Sequence, residues 1–104
     1  MNTVDLIKNQ ISENPVLLYM KGNAIFPQCG FSSQVVHILK DLGVKFESVN
    51  VLENPDIRSE LPKYANWPTF PQLYISGELV GGCDIITQLY QSGDLKEMLK
   101  DFSE

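Results

Sequence analysis

The chain has 104 residues, 43% of them hydrophobic and 20% charged, and a formal net charge of −5. That length suffices for one domain, expected over residues 1–104, with a core that needs no staples. The acidic balance argues against a nucleic-acid surface, and two cysteines are too few for a secreted disulfide scaffold.

The N-terminus, MNTVDLIKNQ, has no basic stretch followed by an apolar run, so no signal peptide is expected. Val4, Ile7 and Ile11 recur at helical spacing, so residues 3–13 read as a helix stopped by Pro15. VLLYM (Val16–Met20) is a short unbroken apolar run, the pattern of a strand covered on both faces. It is the longest apolar stretch and far too short to span a bilayer. The expected location is therefore cytoplasmic, with no membrane and no nucleic-acid partner.

Lys21-Gly22 ends that strand. After Cys29, the residues Val35, Val36, Leu39 and Leu42 form a helical stripe closed by Gly43. VKFESVNV, residues 44–51, is rich in β-branched and aromatic residues and reads as a strand. In ENPDI, Asn54 stands at an N-cap and Pro55 at the first helical position. That helix turns Ile57, Leu61 and Tyr64 inward, with Pro62 expected to kink or end it. FPQLYI and ELVG read as a hairpin turning at Ser76-Gly77. A helix follows Gly81-Gly82 and ends at Gly93. Asp94 with Glu97 resembles a capping box for a last helix holding Leu95, Met98, Leu99 and Phe102.

The fold class is thus α/β. The first two strands are joined by a helix, so they run parallel through a right-handed crossover. The last two form an antiparallel hairpin. A four-stranded mixed sheet flanked by helices on both faces satisfies both conditions.

Cys29 falls between a strand end and a helix start. Free N–H groups and the helix dipole there favour an anion, which lowers a thiol's pKa. Lys21 adds positive charge on the same side, and Gly30 lets a ligand approach the backbone. C-x-x-C is the pattern of a thioredoxin-like redox motif. Here Ser32 occupies the second cysteine's place, so the thiolate's partner lies elsewhere: a small-molecule thiol, Cys83, another subunit or a metal. His37, the only histidine, lies in the helix after the site and faces away from the strand end.

KGNAIFPQCGFS and WPTFPQLYISGELVGGCDI, with ENPVLLYMKG and NPDIRSELPKYANWPTFPQLY, resemble the monothiol glutaredoxins of the CGFS class. The resemblance covers nearly the whole chain, although some relatives continue past DFSE in a polar tail. It implies a thioredoxin-like fold with an extra N-terminal helix. It also implies glutathione binding and a [2Fe-2S] cluster shared by two subunits.

By the same resemblance, Lys21 and Arg58 are carboxylate binders for glutathione, and Arg suits a planar bidentate partner. Lys63 is a weaker candidate, equally readable as a solvated lysine. Phe70 precedes Pro71, where the family has a cis peptide bond, and its backbone is to pair with the tripeptide. Cys83 and Asp84 open another helix. Backbone N–H groups there suit the γ-glutamyl carboxylate, and the Asp84 carboxylate suits the ammonium or a plain N-cap. For Cys83, packing with a backbone contact is the first reading and a Cys29–Cys83 disulfide the runner-up.

A [2Fe-2S] cluster usually takes four thiolates. Two Cys29 thiolates and two glutathione thiolates supply them, with Cys29 the metal ligand of a cluster-bridged homodimer. Ser32 leaves Cys29 without a disulfide partner three residues away. The implied function is iron-sulfur cluster storage, transfer and assembly, with apo iron-sulfur recipients and a BolA-like protein, as heterodimer, for partners. The alternative is a thiol-disulfide oxidoreductase in which Cys29 is the catalytic nucleophile toward glutathionyl mixed disulfides. The loop NAIF before Pro27, longer than in dithiol relatives, favours the first.

Overall fold

The computed structural model describes residues 2–104. Its elements run α1 (Thr3–Glu13), β1 (Val16–Met20), α2 (Gly30–Asp41), β2 (Glu47–Asn50), α3 (Pro55–Ala65), β3 (Gln72–Ile75), β4 (Glu78–Gly81), α4 (Cys83–Ser92) and α5 (Asp94–Met98), followed by a 3-10 turn at Lys100–Phe102. One four-stranded sheet has the order β2-β1-β3-β4. β1 pairs parallel with β2 and antiparallel with β3, and β4 completes the hairpin with β3. The expected mixed sheet is present, including the extra N-terminal helix.

All five residues of β1 are buried, and their alternation organises the molecule. Val16, Leu18 and Met20 join one core with Val35 and Leu39 of α2, Ile86 of α4 and Leu95 of α5. Leu17 and Tyr19 join a second core with Ile7 and Ile11 of α1 and Ile57 and Leu61 of α3. A strand sends successive side chains to opposite faces, so an unbroken apolar run demands a helical layer on each. Each such aliphatic side chain contributes roughly 1.5–3 kcal/mol on burial. No helix among the described residues is long and apolar enough to cross a membrane.

Several local expectations are corrected. β2 is confined to Glu47–Asn50, and Val44 instead bridges to Ser103. α3 continues through Pro62 to Ala65, because Ile57 and Leu61 anchor it to the core. Tyr64 is 42% exposed rather than inward. Asn54 does stand at the N-cap, but its side chain donates to the Asn50 carbonyl at 2.8 Å and makes no cap bond. Asp94 is the first residue of α5, whose N-cap is Gly93, so no capping box forms. Glu97 accepts from Lys100 Nζ instead.

Candidate functional site

The sheet topology brings four chain segments to one end of the molecule. Met20 at the end of β1 lies opposite Asn50 at the end of β2. Tyr19 lies opposite Gln72 at the start of β3, and Leu73 opposite Gly81 at the end of β4. The loop to Cys29, the start of α3, the segment before β3 and the start of α4 therefore border one cleft of about 550 Å³.

All six expected site residues line this cleft: Lys21, Cys29, Arg58, Phe70, Cys83 and Asp84. Lys63 is not in its wall and lies 3.8 Å from Glu60. His37 is exposed on α2, as expected. Lys21, Arg58 and Asp84 are the charged residues of the wall. Among the described residues the ion pairs are Lys63–Glu60 and Lys100–Glu97, and none of these three takes part in either.

Cys29 is the N-cap residue of α2 and is partly exposed. Its thiol is held below the ordinary thiol range. The largest cause is the Ser32 backbone N–H, with the Phe31 N–H, the Ser32 hydroxyl and the Lys21 charge also lowering it, against a smaller opposing effect of burial than of these together. The first turn of a helix offers unpaired donors to an anion, and a thiolate accepts them better than a thiol. Ser32 is fully buried and does more than replace a cysteine. Its Oγ accepts from Lys21 N at 3.1 Å, tying the end of β1 to the first turn of α2.

The loop between them is built rather than slack. Asn23 Oδ1 accepts from Ile25 N at 2.9 Å and Phe26 N at 2.8 Å, and Gln28 N donates to Lys21 O at 2.9 Å. Gly22 has φ +89°, and a Cβ there would stand 2.5 Å from Gln28 N and 2.6 Å from Phe26 O. Only glycine combines that φ with such a close approach.

On the opposite wall, Phe70-Pro71 is cis, as expected from the family resemblance. Trp67, Pro68 and Thr69 also face the cleft, and sequence reasoning missed them. An aromatic and a proline between a helix end and a strand were the available signal. Trp67 Nε1 is buried with no hydrogen-bond partner. The indole lies against Gly82, where a Cβ would come within 3.4 Å of Nε1 and 3.2 Å of Pro71 O. Gly82 in turn is the N-cap of α4, so its backbone leads directly to Cys83 and Asp84. Both cysteines are free thiols, and Cys83 Sγ lies 4.0 Å from Thr87 Oγ1 of its own helix. Among the described residues no three His, Cys, Asp or Glu side chains gather at one point.

A cleft bordered by a low-pKa cysteine at a helix start and a cis-proline before a strand defines a thiol site on a thioredoxin-like sheet. A sequence profile of the Glutaredoxin family matches residues 16–80. The chain is 59% identical over 99 residues to "Glutaredoxin 4" of Escherichia coli (strain K12), covering 95% of this chain and 86% of that protein. Reduced poplar apo GrxS14 superposes with a TM-score of 0.81 at 51% identity, covering 94% of this chain and 90% of that one. A monomeric truncated mutant of Trypanosoma brucei 1-C-Grx1 gives 0.86 at 39% identity, with 97% and 92% covered. The chain belongs to the glutaredoxin family. Its similarity to the bacterial glutaredoxin 4 proteins runs through nearly the whole chain.

Proposed function

We propose that residues 1–104 act as one monothiol glutaredoxin domain that binds glutathione in this cleft and carries a [2Fe-2S] cluster as cargo between two chains. The observation that carries the reading is the charge set of the wall: two cations, Lys21 and Arg58, and one anion, Asp84, beside the Cys29 thiol. Glutathione presents the complement, two carboxylates and one ammonium. Lys21 and Arg58 take the carboxylates by charge-assisted hydrogen bonds. Asp84 and the first N–H groups of α4 hold the γ-glutamyl end. The Phe70 backbone pairs with the tripeptide backbone, and Cys83 contributes packing and its own backbone.

Glutathione bound this way brings its thiol beside Cys29. Each chain then offers two thiolates, and two chains offer the four that a [2Fe-2S] cluster usually takes. A homodimer, apo iron-sulfur recipients and a BolA-like protein are the partners this reading implies. The lowered Cys29 thiol favours a second activity. In it the Cys29 thiolate attacks the glutathione sulfur of a mixed disulfide and releases the substrate as thiolate. A second glutathione thiolate then displaces Cys29 and leaves as oxidised glutathione.

The test is iron and sulfide per chain after anaerobic reconstitution, with and without glutathione, alongside mass in solution. One cluster per two chains, formed only with glutathione, is expected. Cys29→Ser abolishes it and Cys83→Ser largely keeps it. A cluster in a monomer, or one formed without any small thiol, overturns the shared-ligand reading. No cluster under any condition leaves thiol exchange as the function.

A further inference from the structure

Among the described residues Ser32 and Gln72 are the buried polar residues other than tyrosine, each fully shielded from solvent. Ser32 serves Cys29. Gln72 does not itself line the cleft, yet its side chain is committed to residues of the cleft wall. Its Nε2 donates to Trp67 O at 3.1 Å and to Thr69 O at 3.3 Å. Its Oε1 accepts from Tyr74 OH at 3.0 Å. The two N–H donors of the amide are thus directed at two carbonyls of one segment, and the oxygen is fixed by a third group.

That arrangement is directional. Tyr74 stands two residues further along β3, hence on the same face of the sheet. It is 3% exposed, and burial pushes its hydroxyl up to about 12, so it keeps its proton. With the hydroxyl donating to Oε1, the NH₂ group must face the segment. A reversed amide would set an oxygen against two carbonyls. Gln72 is anchored by the sheet, opposite Tyr19 of β1, so the segment inherits the rigidity of the sheet.

We infer that Gln72 is a positioning residue for glutathione, clamping Trp67 and Thr69 so that the segment before Pro71 is set for the ligand before it arrives. The inference rests on the glutathione reading above. A segment already ordered loses little freedom on binding, whereas a released one must be ordered at that step. The clamp holds the carbonyls of Trp67 and Thr69, on either side of Pro68 and just before Phe70, whose backbone the glutathione reading assigns to the ligand.

The test uses the full chain and reduced glutathione. Gln72→Met keeps the side-chain length and removes both donors and the acceptor. Calorimetry should show glutathione affinity falling about tenfold or more, the loss expected for two neutral hydrogen bonds that preset a site. Trp67, the only tryptophan, should become more accessible to iodide quenching. Leu99→Ala, a destabilising change in the core behind α5, should bind glutathione like the parent. Parental affinity and parental quenching in a folded Gln72→Met protein would overturn the inference. So would an equal loss in Leu99→Ala, which would assign the effect to stability alone. If Gln72→Met does not fold, Tyr74→Phe decides: it removes only the hydroxyl that orients the amide, and it should weaken binding in the same direction. A parent that takes no glutathione would remove the functional reading, and the iodide measurement alone would then decide whether Gln72 sets the segment.

Discussion

The thiol of Cys29 is acidified by where the chain folds more than by which charge stands nearby. The Ser32 N–H is the leading cause and Lys21 the last of those that lower it. A depressed pKa means that the thiolate persists below the free thiol's ~8.5. The sign for stability follows: the contribution is present above the unfolded pKa and is lost as pH falls through the folded value. Iodoacetamide alkylation followed against pH should show a midpoint below the free-thiol value. Lys21→Met should leave most of that depression in place. A return to the free value in Lys21→Met would reverse the order of causes. Much of this was legible in sequence, because a strand end, a cysteine and a glycine before a helical stripe locate a helix start. The part played by Ser32 was not. Its Oγ meets the N–H of Lys21, eleven residues earlier, and no local pattern announces such a contact.

At the scale of elements, Gly22 decides how the chain passes from β1 to α2. Its amide donates to Asn50 Oδ1 at 3.0 Å, and it forms an isolated bridge with Pro27. An alanine there meets two backbone atoms at 2.6 Å or less while sitting at φ +89°. Strain at such a φ and overpacking each cost about 1–3 kcal/mol. Gly22→Ala should therefore lower the urea midpoint by an amount corresponding to roughly 2–6 kcal/mol of stability. An unchanged midpoint would mean that the loop relaxes freely. The helices α1 and α2, with strong periodicity, and β1 and the hairpin, bounded by clear turn signals, could be read from the sequence. The misread ones share a cause: local chemistry lost to tertiary contact. Pro62 signals a kink or a helix end, and of the two the end is excluded, because the core-facing Ile57 and Leu61 carry α3 past it. Asp94 and Glu97 have capping-box spacing, but Gly93 takes the cap with φ +87°. The apolar character of Val44 is spent on packing and a bridge to Ser103 rather than on β2.

Across the whole molecule, every charged group of the cleft wall comes from a different element end: Lys21 after β1, Arg58 in α3 and Asp84 in α4. The identities of these residues were legible through the family resemblance, but their convergence required the strand order. The net charge of −5 would repel an anion, so the local cations must outweigh it at close range, within the ~10 Å over which charges act at moderate salt. On the proposed reading, one glutathione joins all three elements, and it binds only the folded chain. Ligand that binds the native state alone stabilises it by mass action. At ten times its dissociation constant, reduced glutathione should add about 1.4 kcal/mol, seen as a rise of roughly 5–10 °C in Tm for a domain of this size. The effect should shrink as salt is raised, because charge pairing carries the recognition. Arg58→Ala and Asp84→Ala should each weaken it, since a charge-assisted hydrogen bond contributes roughly 1.5–3 kcal/mol. Thermal melts with increasing glutathione at low and high salt, for the parent and both variants, measure all of this. A shift that is indifferent to salt and intact in both variants would mean that glutathione binds elsewhere, or by its peptide backbone alone.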